Sequence, residues 1–360
     1  MIKILITNAY SWYNKGDAAI VISTLYALRK HIPDAEITVL SHTPDIDKKQ
    51  YQRYDNKVQV FRLPLVPYPD YSRKLATGFK HLLDIIKYTS LAKLPSARAL
   101  TDDVLAAYAN ADLVISSGGG YIGGYITGNL VQVYGIYLAK LLNKPVVLWA
   151  QSIEPFTNII LEKATRYILN KVDLIITREE LSVSYLEHLG IRPPVYCGAD
   201  AAFLAPALPA EEGSRLLATA NVHKKAGDFF VGFTTMSWLF PAYRGEEKKR
   251  KAKNYFNVIV NTVKYLISEL DARVIFFPHD IFYPSDDDRI ISNKIAAAVN
   301  NERVTVLTED YSPEQMKAMI GHMDLFIGTR VHSNIFSTSM HVSYRKILCI
   351  NYFFWNQGFH

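Results

Sequence analysis

Short apolar runs and amphipathic stretches alternate along almost the whole chain. Residues 2–6 form an apolar run of strand length, Val21, Leu25, Leu28 and Ile32 recur at helical spacing, and residues 37–40 start a second strand. The same rhythm returns at 113–115, 145–149 and 174–176. After a break it resumes at 229–233, 274–277, 304–307 and 325–327, with helices predicted over 255–270, 286–299 and 313–320. Strands alternating with helices predict an α/β fold with mostly parallel sheets covered on both faces. The break at 204–228 is rich in Ala, Pro and charge and reads as a crossing between lobes. The expected architecture is two Rossmann-like, doubly wound lobes facing a cleft. The N-terminal lobe spans 1–205, the linker 206–227 and the C-terminal lobe 228–360. A Tyr- and Lys-rich insertion at about 51–98, with Pro64, Pro67 and Pro69 close together, interrupts the first lobe.

Composition narrows the class. With 360 residues, 49% hydrophobic and 21% charged, the chain has material for more than one core and none of the bias of a disordered protein. Forty basic residues against thirty-four acidic ones leave a formal charge of +6. They are dispersed apart from the run 244–253, which reads as a solvated helix start. That suits a small anionic substrate or a negatively charged surface better than nucleic acid. Two distant cysteines, Cys197 and Cys349, make neither a disulfide framework nor a metal site. No signal peptide and no membrane-spanning run is read, so the expected location is the cytoplasm, with at most peripheral contact with a membrane.

In open parallel sheets ligands collect beyond the carboxyl ends of strands, which directs attention to the strand-to-helix loops. The loop TNAYSWYNKGD places Gly16 and Asp17 before a helix; Asp17 reads as its N-cap, while Asn8 and Asn14 are candidates for holding sugar hydroxyls. SSGGGYIGG follows the strand at 113–115. Its Gly118, Gly119 and Gly120 suit an anion- or sugar-binding loop as well as a tight turn, and no acidic residue stands where a dinucleotide site would want one. Gln151 and Arg178 follow two further strands, Arg178 as an anion fork or as half of an ion pair. The most informative loop is GTRVHSN, where Thr329, Arg330, His332 and Ser333 open a helix: Arg330 offers a fixed bidentate cation and His332 a proton carrier near neutrality. His279 and Asp280 lie past another strand. Asp286, Asp287 and Asp288 read as the acidic start of a helix after Ser285, in preference to a metal cluster.

Taken in order, NKGDAAI, SGGGYI, QSIEPF, TREELS, GADAAF and GTRVHSNI resemble the polysaccharide pyruvyl transferase family over nearly the whole chain. The resemblance implies a GT-B-like fold. It also implies transfer of the enolpyruvyl group of phosphoenolpyruvate to two hydroxyls of a sugar in a cell-surface or exopolysaccharide precursor, with release of phosphate and no cofactor or metal. It implies an acceptor side in the first lobe and a donor side in the second. Arg330 and His332 match the family's R-x-H motif, with His332 as general acid and Arg178, Thr329, Ser333 and His279 as donor contacts. Asn14, Gly16, Asp17, Gly118, Gly119, Gly120 and Gln151 are the expected acceptor or loop contacts. The base that takes the hydroxyl proton is left between Asp17 and His279. The acceptor is a glycan, lipid-linked or free, which is compatible with a protein at the inner face of a membrane.

The sequence departs from the pattern in places. Ala150 and Glu154 stand where the family commonly has Gly, and Ala201 where Pro is common. After residue 342 the tail SYRKILCINYFFWNQGFH has length for one strand but hardly for the closing strand and helix of the family, so the C-terminal lobe is expected to be incomplete. Two rivals share the fold: a GT-B glycosyltransferase using a nucleotide sugar, and a non-catalytic glycan-binding protein.

Overall fold

The computed structural model describes residues 1–65, 74–94, 102–124, 129–236, 240, 243–282 and 286–346. The chain divides into two compact units, residues 1–12 with 17–201 and residues 13–16 with 202–360.

The first unit runs β1 (Lys3–Ala9), α1 (Lys15–His31), β2 (Glu36–Ser41), α2 (Pro44–Tyr51), β3 (Gln59–Arg62), α3 (Lys74–Ala92), α4 (Asp103–Asn110), β4 (Leu113–Ser116), β5 (Gly119–Gly124), α5 (Asn129–Leu141), β6 (Val146–Phe156), α6 (Ile159–Leu169), β7 (Leu174–Thr177), α7 (Glu180–His188) and β8 (Val195–Cys197). Its sheet has the order β3-β2-β1-β4-β6-β7-β8, with β5 added on β6, and every pairing is parallel. Setting β5 aside, this is the 3-2-1-4-5-6 order of a dinucleotide-binding fold, extended by one strand. The core is built where the apolar runs predict it, around Leu5, Val114, Leu148 and Ile175. Strand β3 lies inside the segment read as an insertion; its pattern QVFR is too short and too polar to announce a strand, and edge pairing with β2 makes it one. The insertion's residues 66–73 and 95–98 fall outside the described part.

The second unit runs α8 (Ala210–Thr219), β9 (Phe230–Phe233), α9 (Gly245–Leu270), β10 (Arg273–Phe276), β11 (Ile281–Phe282), β12 (Asp286–Asp287), α10 (Asp288–Val299), β13 (Val304–Val306), α11 (Pro313–Ile320), β14 (Leu325–Gly328), α12 (Val331–Ser339) and β15 (Tyr344–Lys346). Its sheet, β13-β10-β9-β14-β15, is again wholly parallel, and its strand order reverses between β9 and β14. Its core packs around Phe233, Val263, Val274 and Phe276. The basic run 244–253 is the N-cap and mostly exposed first third of α9. The tail of the sequence supplies β15 beside β14; residues 347–360 lie outside the described part.

One correction concerns the stretch read as a linker at 206–227. It carries α8, whose buried Gly213, Leu216 and Leu217 form one apolar side. A Cβ on Gly213 would stand 2.4 Å from the carbonyl oxygen of Ala318, so helices α8 and α11 touch backbone to backbone. The buried Lys317 donates to the carbonyl of Ala205. Ala, Pro and Glu gave this segment the composition of a loop, but leucines at one side of a helix outweigh composition once a partner covers them.

Candidate functional site

The second sheet reverses its strand order between β9 and β14, and the carboxyl ends of strands at such a point are where doubly wound folds hold ligands. The R-x-H motif lies there. Gly328 ends β14 where a Cβ would meet Asn334 Oδ1 at 2.0 Å, so only glycine lets the chain turn directly into α12. Arg330 is the residue before that helix, and its guanidinium, 15% exposed, is gripped along one edge by Asp288: Nε donates to Oδ2 at 2.7 Å and Nη2 to Oδ1 at 2.8 Å. Asp288 is fully buried and its Oδ2 also accepts the backbone N–H groups of Asp280 at 3.0 Å and His279 at 3.2 Å. Asp280, also buried, stands 3.8 Å from Arg330 Nη1. One guanidinium thus faces two buried carboxylates, which fixes its position and compensates its charge.

The beginning of the chain completes this cluster. Asn14 accepts the Gly16 N–H on Oδ1 at 3.1 Å and donates from Nδ2 to Asp280 Oδ2 at 3.1 Å. The backbone N–H of Lys15 donates to the His279 carbonyl at 2.8 Å, and Ile281 N–H donates to the carbonyl of Tyr13 at 3.0 Å. Helix α1 therefore starts at Lys15 with Asn14 as its capping side chain, three residues before the start expected from Asp17 as N-cap. Lys15 is buried and its Nζ bonds Asp310 at 2.5 Å. A Cβ on Gly16 would fall 2.0 Å from His332 Nδ1. The side chain of His332 lies against a position that only glycine can occupy.

Other motif residues serve the frame. Thr329 and Ser333 are buried. Thr329 N–H donates to Thr234 Oγ1 at 2.9 Å, its hydroxyl donates to the Thr234 carbonyl at 2.9 Å, and Ser333 Oγ donates to the Arg330 carbonyl at 2.7 Å. The two Thr329 bonds tie the end of β14 to the end of β9. His279 is buried against the Phe336 ring, with centroids 5.2 Å apart. Its Nδ1 pairs at 3.2 Å with the Phe277 carbonyl, which can only accept, so Nδ1 carries the proton and Nε2 is a bare acceptor. Burial drives the imidazole down to about 3, with Arg330, His332 and Lys15 adding to the effect. A group held neutral so firmly is a weak base, which disfavours it for taking a hydroxyl proton.

The first unit gathers a separate group. Arg178, at the end of β7, donates from Nη1 to the buried Asp200 at 2.6 Å and from Nε to Ser152 Oγ at 2.6 Å; Ser152 Oγ donates to Glu179 at 2.8 Å. Gly120 is exposed, and a Cβ there would stand 3.1 Å from Arg178 Nη2. The SGGGYIGG segment forms strand β5 on β6, where a Cβ on Gly118 would lie 2.7 Å from the Trp149 carbonyl oxygen. Its glycines permit close backbone approach, the reading in which they serve packing. Gln151 is buried and its amide donates to the Gly119 carbonyl. Asp17 is half-buried, 3.7 Å from where a Cβ on Gly119 would be. Ala150 adopts φ 53° at the bulge between Leu148 and Gln151, a backbone region suited to the Gly expected there from the family. Glu154 lies with Oε2 2.9 Å from a Cβ built on Gly124, and burial pushes its carboxyl up, Arg178 opposing.

Sequence reasoning missed the partners. Asp288 is the helix-start acid the sequence predicts, in the first turn of α10 behind Asp287, which caps the helix by accepting Arg289 N–H at 2.9 Å; the bond of Asp288 to Arg330, 42 positions away, has no sequence signal. Nothing in one dimension joins those two, nor Arg178 to Asp200.

The Amylovoran biosynthesis protein AmsJ of Erwinia amylovora is 22% identical over 357 residues, covering 93% of this chain and 80% of that protein. Among solved structures, the UDP-GlcNAc 2-epimerase of Methanocaldococcus jannaschii superposes with a TM-score of 0.58 at 15% identity, over 96% of this chain and 83% of that one. HepE of Anabaena, in complex with UDP and glucose, gives 0.53 at 12% identity, over 96% and 80%. These structural likenesses establish a GT-B-like fold. Residues 14–343, which take in every motif from NKGD to the R-x-H helix, match the family described as polysaccharide pyruvyl transferase, and the chain belongs to that family.

Proposed function

We propose that the protein transfers the enolpyruvyl group of phosphoenolpyruvate to two hydroxyls of a sugar in an exopolysaccharide precursor, forming a cyclic pyruvate ketal. The observation that carries this reading is the fixed pair at the start of α12, Arg330 clamped by Asp288 and His332 seated on Gly16, in a chain of this family. His332 gives a proton to the methylene carbon of the donor, which becomes the methyl group. The adjacent carbon then has cationic character and accepts one sugar hydroxyl; its bond to the phosphate oxygen breaks and the second hydroxyl takes that place. One hydroxyl proton replaces the proton spent by His332, and the other leaves with inorganic phosphate. Arg330 and the amides opening α12 meet the anionic groups of the donor. The scheme uses no cofactor.

The test is phosphate release from phosphoenolpyruvate in the presence of a panel of glycans, with the ketal methyl group followed by NMR. His332→Ala should lower turnover by about a hundredfold or more while glycan binding persists. Consumption of a nucleotide sugar in place of phosphoenolpyruvate would overturn the reading.

A further inference from the structure

Helices α3 and α6 flank α5 in the first unit, and a cavity of about 310 Å³ lies among them, walled by Ile85 of α3, Tyr134 and Tyr137 of α5, and Leu161, Ala164 and Ile168 of α6. Its wall is apolar because Tyr134 turns its hydroxyl inward, to Thr89 at 3.2 Å and the Ile85 carbonyl at 3.3 Å. Around it the same two helices leave large apolar side chains in solvent. Leu82, Leu83 and Ile86, at one-face spacing on α3, are each about half exposed; Ile159 and Tyr167 on α6 are 60% exposed and Ile160 is 74% exposed. Clusters of this kind mark an interaction surface, where singly scattered apolar residues would need no explanation.

Charge says which partner fits. Lys163 and Arg166 stand exposed on α6 among these residues, and Lys171 holds its ammonium 4.7 Å from the Tyr167 ring centre. On α3, Lys80 is exposed, while the exposed Lys87 is paired with Asp102 at 2.7 Å. The acids of the region are engaged or withdrawn: Glu162 accepts from the Tyr185 hydroxyl at 3.2 Å, and Asp84 is half-buried. A second copy of the chain docking here by a two-fold axis would set one basic border against another. An anionic lipid surface takes both features at once, the apolar side chains entering the acyl boundary and the basic ones meeting headgroups. We infer that the α3–α6 face of the first unit docks on membranes containing anionic lipid. No described helix is long and apolar enough to cross a bilayer, so the contact is with the surface.

Co-sedimentation with vesicles of phosphatidylcholine alone, and of phosphatidylcholine mixed with phosphatidylglycerol, tests this without reference to the reaction. The chain should pellet with the mixed vesicles, release with salt, and stay in solution with the neutral ones. Ile160→Asp should weaken binding by about tenfold or more, as should Lys163→Glu with Arg166→Glu. The same charge change placed elsewhere, Arg250→Glu with Lys253→Glu on α9, should leave most of the binding intact, which separates this face from bulk basicity. Thermal melts confirm that each exposed substitution leaves the fold alone. Absence of pelleting with mixed vesicles, equal losses from the α6 and α9 charge pairs, or an Ile160→Asp variant that binds vesicles normally would each overturn the inference. So would a concentration-dependent dimer abolished by Ile160→Asp without vesicle binding.

Discussion

At the scale of single residues, the reactive geometry depends on the absence of a side chain. Gly16 gives the His332 ring its seat, since a methyl group there would lie 2.0 Å from Nδ1, well inside contact distance. Gly16→Ala must therefore swing the imidazole away. Displacing a proton donor by about 1 Å costs on the order of a hundredfold in rate, so the variant should lose about that much phosphate release from phosphoenolpyruvate. Gly16→Ala combined with His332→Ala should melt like His332→Ala alone, because removing the ring removes the clash. Turnover in Gly16→Ala close to that of the native protein would show that His332 works from elsewhere. The glycine was legible as a motif member, yet its purpose was not. What it touches lies 316 positions along the chain, and only folding brings the two together.

At the scale of elements, the apolar pattern predicted most strands and helices because burial on both faces of a parallel sheet leaves near-continuous runs such as ILI at 4–6 and VIF at 274–276. It failed where context outweighs pattern. β5 is built from glycines that no propensity favours in a strand, and exists because β6 continues past the Ala150 bulge and offers a partner. Asp288 is the element-level hinge of the site: as the first residue of α10 it profits from the helix dipole while binding the arginine that precedes α12. Asp288→Asn removes one charge of a buried pair and leaves Arg330 uncompensated on that edge. The second unit should lose about 3 kcal/mol in chemical denaturation. Arg330→Met added to Asp288→Asn should recover part of that loss, since no buried charge is then left alone. An additive, larger loss in the double variant would mean that the pair is not what holds α10 to α12.

At the scale of the whole molecule, each unit holds a histidine that burial keeps neutral: His42 in the first, lowered to about 4, and His279 in the second. The second contains His279, which the fold keeps neutral down to about pH 3 against an ordinary value of 6.5. Between those values the unfolded chain binds a proton that the folded one refuses, so stability rises with pH across the window. It is complete above about pH 6.5 and falls, as acid is added, by about 1.4 kcal/mol per pH unit from this group alone. Hydrogen exchange followed by mass spectrometry at β10 and β14 reads this unit separately from the first. From about pH 6.5 to about pH 5.5, above the range where ordinary carboxylates titrate, exchange there should report a slope approaching that value. His279→Gln keeps an amide N–H for the Phe277 carbonyl but has no proton to gain, and its slope should be smaller by the same amount. The first unit, which lacks this residue, should be unaffected by the substitution at every pH. An undiminished slope in His279→Gln would mean that the folded protein takes up the imidazole proton readily, and with it that His279 is free to act as a base in catalysis.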